Sequence, residues 1–498
     1  MKRVVFPIAV VLVAAIAAAQ TGPTILQQIS NRLTANDLKA DVSFLASDAL
    51  QGRGTPSPGL EIAAEYIAAQ FRRAGLEPAG DDNYFQTASF VNTTPNVEGM
   101  EFAVDGGSGT VKAKSISMGL LQAAAADVSK LAVWKVAGND AAAVAALTPE
   151  QVRGKVLVLD FPEGTNPAGM TRQLPALATR LQPALVVVLR SGGQPANQPG
   201  RMREAAAAPA VPVLLVWDEE VRTALGAGKP TPVSALVSAH IPPPIVTPVK
   251  VHNVVGVMRG SDPALRDTYV LVTAHYDHLG VAPGQCRAVD ADSICNGADD
   301  DASGTASVIE VANALAALPA RPKRSIVFMT FFGEELGLVG SRYYGAHPIF
   351  PLAKTVADLN LEQLGRTDVD GGSSVGLVNV TGFDFSTLTD AVVKAGGATG
   401  LQVVKNAQLN ERYFAQSDNQ AMADAGVPAH TLSVGYMFPD YHKPGDEWSK
   451  LDYNNLALVD RTVALAVYQV ADSSDTPQWK DIPLTERYIK ARQASLGK

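Results

Sequence analysis

The sequence predicts an α/β fold: a mostly parallel mixed sheet sandwiched by helices, with a smaller α/β domain inserted into it. Three observations carry this. From residue 250 onward, short β-rich runs alternate with stretches of helical period, the rhythm of βαβ units. Between about residues 120 and 240, Ala-rich stretches surround compact β-runs, and Pro242-Pro243-Pro244 closes that region as a stiff connector. Acidic and imidazole residues gather where strands end, and open α/β sheets bind ligands at the carboxyl ends of their strands.

A chain of 498 residues suggests two to four domains. The expected divisions are 1–19, 24–118, 119–245, 246–475 and a polar, peripheral tail at 476–498. With 47% apolar residues a core of useful size is available, and a formal charge of −8 argues against a nucleic-acid surface. Lys2-Arg3, the apolar run 4–16 and Ala17-Ala18-Ala19 read as a cleaved secretory signal, too short for a membrane span. The mature chain is therefore expected to be secreted or periplasmic, with no stable span. In that compartment Cys286 and Cys295 are expected to form a disulfide rather than bind metal. The sequence does not tell the oligomeric state.

Residues 37–50 and 59–76 have amphipathic helical patterns, the second with Ile62, Tyr66, Ile67 and Phe71 on one face. Residues 83–118 switch to short β-like runs. In the insert, β-runs are expected at 156–160, 184–189 and 211–216, with a helix at 170–181. Beyond it, strands are expected at 253–258, 269–274, 325–332, 355–361, 375–380 and 429–434. Helices are expected at 303–318, capped by Ser303, after Gly337, at 385–395, at 418–426 and at about 453–471.

The chemistry concentrates in residues 270–335. His275 and Asp277 lie two apart at a strand end, so both point to one face and Asp277 can orient the His275 ring. His278 falls on the other side or in the loop. Asp299, Asp300 and Asp301 precede a helix; one could cap it, but three in a row repel unless a cation compensates. Spacing does not say which of them binds. Glu334 and Glu335 leave a strand in opposite directions, so one can bind metal while the other faces water as a general base. Glu362 ends a strand, and His442 lies in a turn-rich loop. Histidine with carboxylates and no thiolate suits zinc or a similar divalent ion.

Five ordered motifs, T-A-H-Y-D-H-L-G (273–280), N-G-A-D-D-D-A-S-G-T-A (296–306), F-F-G-E-E-L-G-L-V-G-S (331–341), N-L-E-Q-L-G (360–365) and D-Y-H (440–442), resemble the co-catalytic zinc exopeptidases. This is metallopeptidase family twenty-eight, which includes leucyl aminopeptidases, glutamate carboxypeptidase and glutaminyl cyclases. The resemblance covers 250–472 and 37–80. The insert more loosely resembles a protease-associated domain. The resemblance implies two Zn2+ per chain: His275 and Glu362 on one, Glu335 and His442 on the other, Asp300 bridging. It implies Glu334 as general base, Asp277 as the orienting group of His275 and Tyr441 as oxyanion partner. At Glu362 many members carry Asp. The activity implied is that of an exported aminopeptidase, hydrolysing peptides with a free N-terminus by a water held between two zinc ions. A carboxypeptidase, a cyclase and a non-catalytic receptor-like ectodomain are the alternatives.

Overall fold

The computed structural model describes residues 23–497, except 108, 119–124, 166–167, 193–200, 205–210, 227–230 and 370–371. The signal-like stretch 1–19 lies outside the described residues. Two compact units make up the chain: Met1–Phe85 with Val254–Lys498, and Gln86–Asn253.

The first unit is built on a mixed sheet. Its strands run in the order Gln402–Val404, Leu377–Val380, Ala429–Ser433, Thr355–Leu361, Tyr269–His275, Ser325–Phe331 and then residues 254–258. From Ala429–Ser433 to Ser325–Phe331 the neighbours are parallel. The flanking pairs, with Leu377–Val380 and with 254–258, are antiparallel. The parallel strands are buried along their whole length, as strands covered on both faces must be.

Alternate side chains of these strands feed opposite helical layers. Leu271, Val327, Met329 and Phe331 share a core with Tyr344 and Met422. On the other face, helix Gly304–Ala316 packs on Tyr269–His275, and the long helix Tyr453–Asp472 packs against it. Helix Pro58–Arg73 starts as its sequence dictates: Ser57 Oγ accepts from Leu60 N–H and proline takes the first turn. Its buried face is Leu60, Ala63, Ala64, Ile67 and Phe71. Ile62, expected on that face, is 48% exposed, because a two-residue step from Leu60 turns it about 200° around the axis.

Four further expectations change. Ser303 does not cap its helix; its hydroxyl donates to Asp299 C=O and accepts from Leu364 N–H. The stretch 37–50 is two elements, Ala35–Leu45 and a short turn of helix at Asp48–Arg53. The proline step is no long connector, since a strand resumes at Ile245. The C-terminal tail is not peripheral. Trp479 and Tyr488 are buried and stack at 4.9 Å, and Phe414 sits 5.6 Å from Tyr488.

The second unit holds an eight-stranded sheet in the order Gly109–Lys112, Glu101–Gly106, Thr231–Ile241, Ala126–Ala137, Val156–Asp160, Leu185–Leu189, Val213–Val216 and Ile116–Met118. Residues 101–118 thus join the insert's sheet, and the unit starts well before residue 119. Val156–Asp160 and Leu185–Leu189 are fully buried parallel strands with apolar clusters on both faces.

Candidate metal centre

The strand Tyr269–His275 ends at His275, so Asp277 and His278 belong to the loop beyond it. His275 is 1% exposed. Its Nδ1 lies 3.2 Å from the carbonyl of Asp277 and 3.6 Å from that residue's carboxylate. The orienting contact is therefore made first by the backbone of Asp277. The Asp277 carboxylate accepts from Glu334 N–H (3.0 Å) and Thr55 Oγ1 (3.1 Å). It ties the loop of Glu334 to the loop of His275.

The three consecutive aspartates separate by function. Asp299 accepts from the N–H groups of Gly365 and Arg366, and Asp301 from those of His275, Gly304 and Gln363. Both carboxylates pin backbone. Asp300 is the one turned to the imidazoles, at 3.3 Å from His275 Nε2 and 3.2 Å from His442 Nε2. Burial alone would raise its carboxyl, but the hydrogen bonds to His275 and His442 outweigh that and hold it well below the usual range. Gly304 lets the next helix start here: a Cβ on it would lie 2.3 Å from Leu361 C=O and 2.5 Å from the Asp301 carboxylate.

Two groups of ligand atoms result, each within 4.8 Å internally: His275, Asp300 and Glu362, and His278, Asp300 and Glu335. Asp300 is common to both. His442 joins the second side, with Nε2 3.6 Å from Glu335 Oε1. His278, given no role by the sequence reading, stands with Nδ1 2.8 Å from the same oxygen. That reading followed strand alternation past the point where the strand stops.

The residues fit a divalent cation. Nε2 of His275, both ring nitrogens of His278 and Oε1 of Glu335 are buried, and beyond their close ion-pair neighbours they make no well-aligned hydrogen bond among the described residues. Such orphans are costly unless something else satisfies them. Carboxylates are also crowded. Burial pushes Glu334 well above its usual range, and the charges of Glu335 and Glu362 add to this; Glu362 is raised to about 7 by burial and by Asp300. A cation relieves both strains, and an imidazole–carboxylate set is the donor chemistry zinc accepts.

Two residues to which the sequence reading gave no role hold the site together. Arg53 is fully buried and donates to the carbonyls of Tyr276 (2.8 Å), Asn296 (2.7 Å), Gly297 (2.9 Å) and Leu45. Asp446 accepts from Asp299 and Asp300 N–H. Their roles could not be read locally, because each acts on distant backbone. The loop between His278 and Asn296 is closed by the Cys286–Cys295 disulfide. Tyr441 stacks on His442 at 3.9 Å and lines two cavities. One, of about 650 Å³, includes Glu335 and His442; the other, of about 50 Å³, includes Glu362.

An α/β sandwich that gathers imidazoles and carboxylates into two groups sharing one aspartate defines a candidate metallohydrolase. Residues 253–467 match peptidase family M28. A stretch of 130 residues is 33% identical to a probable zinc metalloprotease of Pyrenophora teres f. teres, covering 26% of each chain. Over 232 residues the chain is 25% identical to aminopeptidase YwaD of Bacillus subtilis, covering 45% of this chain and 46% of that one. The chain thus spans less than half the length of these curated relatives. In fold it is similar to an aminopeptidase from Aneurinibacillus sp. strain AM-1, with TM-score 0.57 and 21% identity over 91% of this chain and 97% of that one. A zinc aminopeptidase from Bacillus subtilis gives 0.50 and 17% over 89% and 97%.

Proposed function

We propose that the protein is an exported zinc aminopeptidase working with two metal ions. The observation that carries this is the pair of ligand groups meeting at Asp300. His275 and Glu362 would hold one ion, Glu335 and His442 the other, with Asp300 between them. His278 is placed to ligate or orient on the second side. When bound, paired ions polarise a carbonyl and acidify water.

The protein's own part follows from its geometry. Glu334 takes a proton from the attacking water as the new C–O bond forms, then delivers it to the leaving nitrogen as the C–N bond breaks. Its backbone N–H, held by Asp277, fixes where that carboxyl stands. Burial and the nearby Asp300 charge raise the Tyr441 hydroxyl, so it stays a donor at neutral pH and can bond the developing oxyanion. The disulfide suits an oxidising compartment. Among the described residues no helix is long and apolar enough to cross a membrane.

Metal analysis paired with hydrolysis of free-amine and N-blocked aminoacyl substrates tests the reading. Two zinc ions per chain, loss of activity with a chelator and discrimination against the blocked substrate are expected. A single ion, or equal cleavage of the blocked substrate, overturns it.

A further inference from the structure

We infer that Arg366 is a positioning residue for the metal centre: through Asp440 it fastens the turn that carries Glu362 to the turn that carries His442, and so sets how tightly the His442 side takes its ion. The number of ions rests on the two-metal reading; the bridge between the turns does not.

Both turns carry a residue in an unfavourable backbone conformation. His442 has φ +57°, and Gln363, next to Glu362, has φ +54°. Residues with a Cβ rarely occupy this left-handed region, and they stay there only where the surroundings hold them. On the Glu362 side those surroundings are buried carboxylates: Gln363 N–H donates to Asp301, and Gly365 and Arg366 N–H to Asp299. On the His442 side, Tyr441 N–H donates to Phe438 C=O and Lys443 N–H to Asp440 C=O. These bonds shape the turn but do not place it against Glu362. Nor does burial fix the ring: the His442 side chain is 36% exposed, against 1% for His275.

Arg366 supplies the missing anchorage. Its side chain is 3% exposed. Nε and one terminal nitrogen fork onto the Asp368 carboxylate, both at 2.6 Å, and the other terminal nitrogen donates to Asp440 Oδ2 at 3.0 Å. The fork fixes the guanidinium plane, so the third bond is aimed in advance, which a lysine could not reproduce. The guanidinium carbon also stands 5.1 Å from the centre of the Phe438 ring. Phe438 meets Tyr441 edge-on at 5.8 Å, and Tyr441 stacks on His442 at 3.9 Å. Two routes thus lead from Arg366 to the His442 imidazole, one ionic and one through rings. Gly445 permits the ionic route, since a Cβ there would lie 2.4 Å from Asp440 Oδ1. Lys450 reaches Asp440 Oδ2 as well, at 2.9 Å, but it also donates to Gly445 C=O. It closes the turn on itself, whereas Arg366 ties the turn to that of Glu362.

The test is stepwise Zn2+ titration of the metal-free full chain by calorimetry, with His442→Ala identifying the step that belongs to His442. Arg366→Met and Asp440→Ala should each weaken that step about ten- to hundred-fold, the size usual for groups that orient metal ligands, and leave the other step within about two-fold. Arg366→Lys should recover part of the loss, because an ammonium keeps the charge without the fork. The double variant should bind no more weakly than the worse single one, since both changes break the same bridge. Lys450→Met should leave both steps within about two-fold. Asp440→Ala cuts the bridge from its solvent-facing end, so the test does not depend on Arg366→Met folding. Unchanged affinity in both single variants, an equal loss on both steps, or additive losses in the double variant overturns the positioning role. A wild type that takes a single ion overturns the two-metal reading instead. If that ion is weakened by His442→Ala, Arg366→Met and Asp440→Ala but not by Lys450→Met, the bridge stands; if Arg366→Met and Asp440→Ala spare it, the bridge falls too.

Discussion

Glu334 and Glu335 are neighbours with different surroundings. Glu335 faces two imidazoles, whereas Glu334 is anchored through its N–H to Asp277 and has no part in either ligand group. Glu334→Gln removes the proposed proton acceptor and keeps the shape. Zinc content by elemental analysis should be unchanged, while kcat falls by roughly 10²–10⁴-fold. A near-normal rate would assign the base elsewhere. The candidate positions were legible from the chain, since an apolar run ending in an acid or histidine marks His275, Glu334, Glu335 and Glu362; which glutamate takes which role came only from the family resemblance. His278 was not, since its place depends on where the strand stops. Asp299 and Asp301 were not separable from Asp300, because their partners are backbone amides, several of them more than sixty residues away.

The loops that carry the candidate ligands are held by a cation with no carboxylate ion-pair partner among the described residues. Arg53 spends its guanidinium on four carbonyls, three of them in the two ligand-bearing loops. Arg53→Met fills some of the space and leaves those carbonyls buried without donors. Unfolding in urea should show a loss of about 3–5 kcal/mol, the size expected when a buried charged network is broken. Zinc binding should weaken in parallel. Arg53 falls in the stretch 37–80 that resembles the family, but its role was not legible: its partners are peptide groups, which carry no side-chain signature. Most strands and helices of the first unit were readable to within a few residues because period and punctuation are local, whereas the long strands Ala126–Ala137 and Thr231–Ile241 of the second unit were missed. The tail was misread for a related reason. Its composition is polar, and a few residues, Trp479 and Tyr488 with Ile482 and Ile489, carry its packing.

Buried acids far from the ligands give the fold a pH dependence of its own. Asp41 and Glu310 sit in helices Ala35–Leu45 and Gly304–Ala316, near Tyr66, Arg73, Asn313, Asp37 and Asp460. Burial raises Asp41 to about 6; burial and then Asp41 raise Glu310 to about 7. Both lie above ordinary carboxyl values of ~4. The folded chain therefore holds these protons more tightly than the unfolded chain does. That contribution is fully present below pH ~4 and is lost as pH rises through about 6 to 7. Denaturation followed across pH 4–8 should show this fall, and Glu310→Gln should flatten it. An unchanged slope in the variant would remove the pair from the account.

Arg53 precedes the inserted unit in sequence, and three of the carbonyls it holds follow that unit. A gene fragment beginning at Val254 would encode every candidate ligand yet lack the donor that knits their loops. Such a half-protein could regain an ordered centre only by complementation with its missing N-terminal piece, which makes the early chain a structural subunit in all but covalent connection.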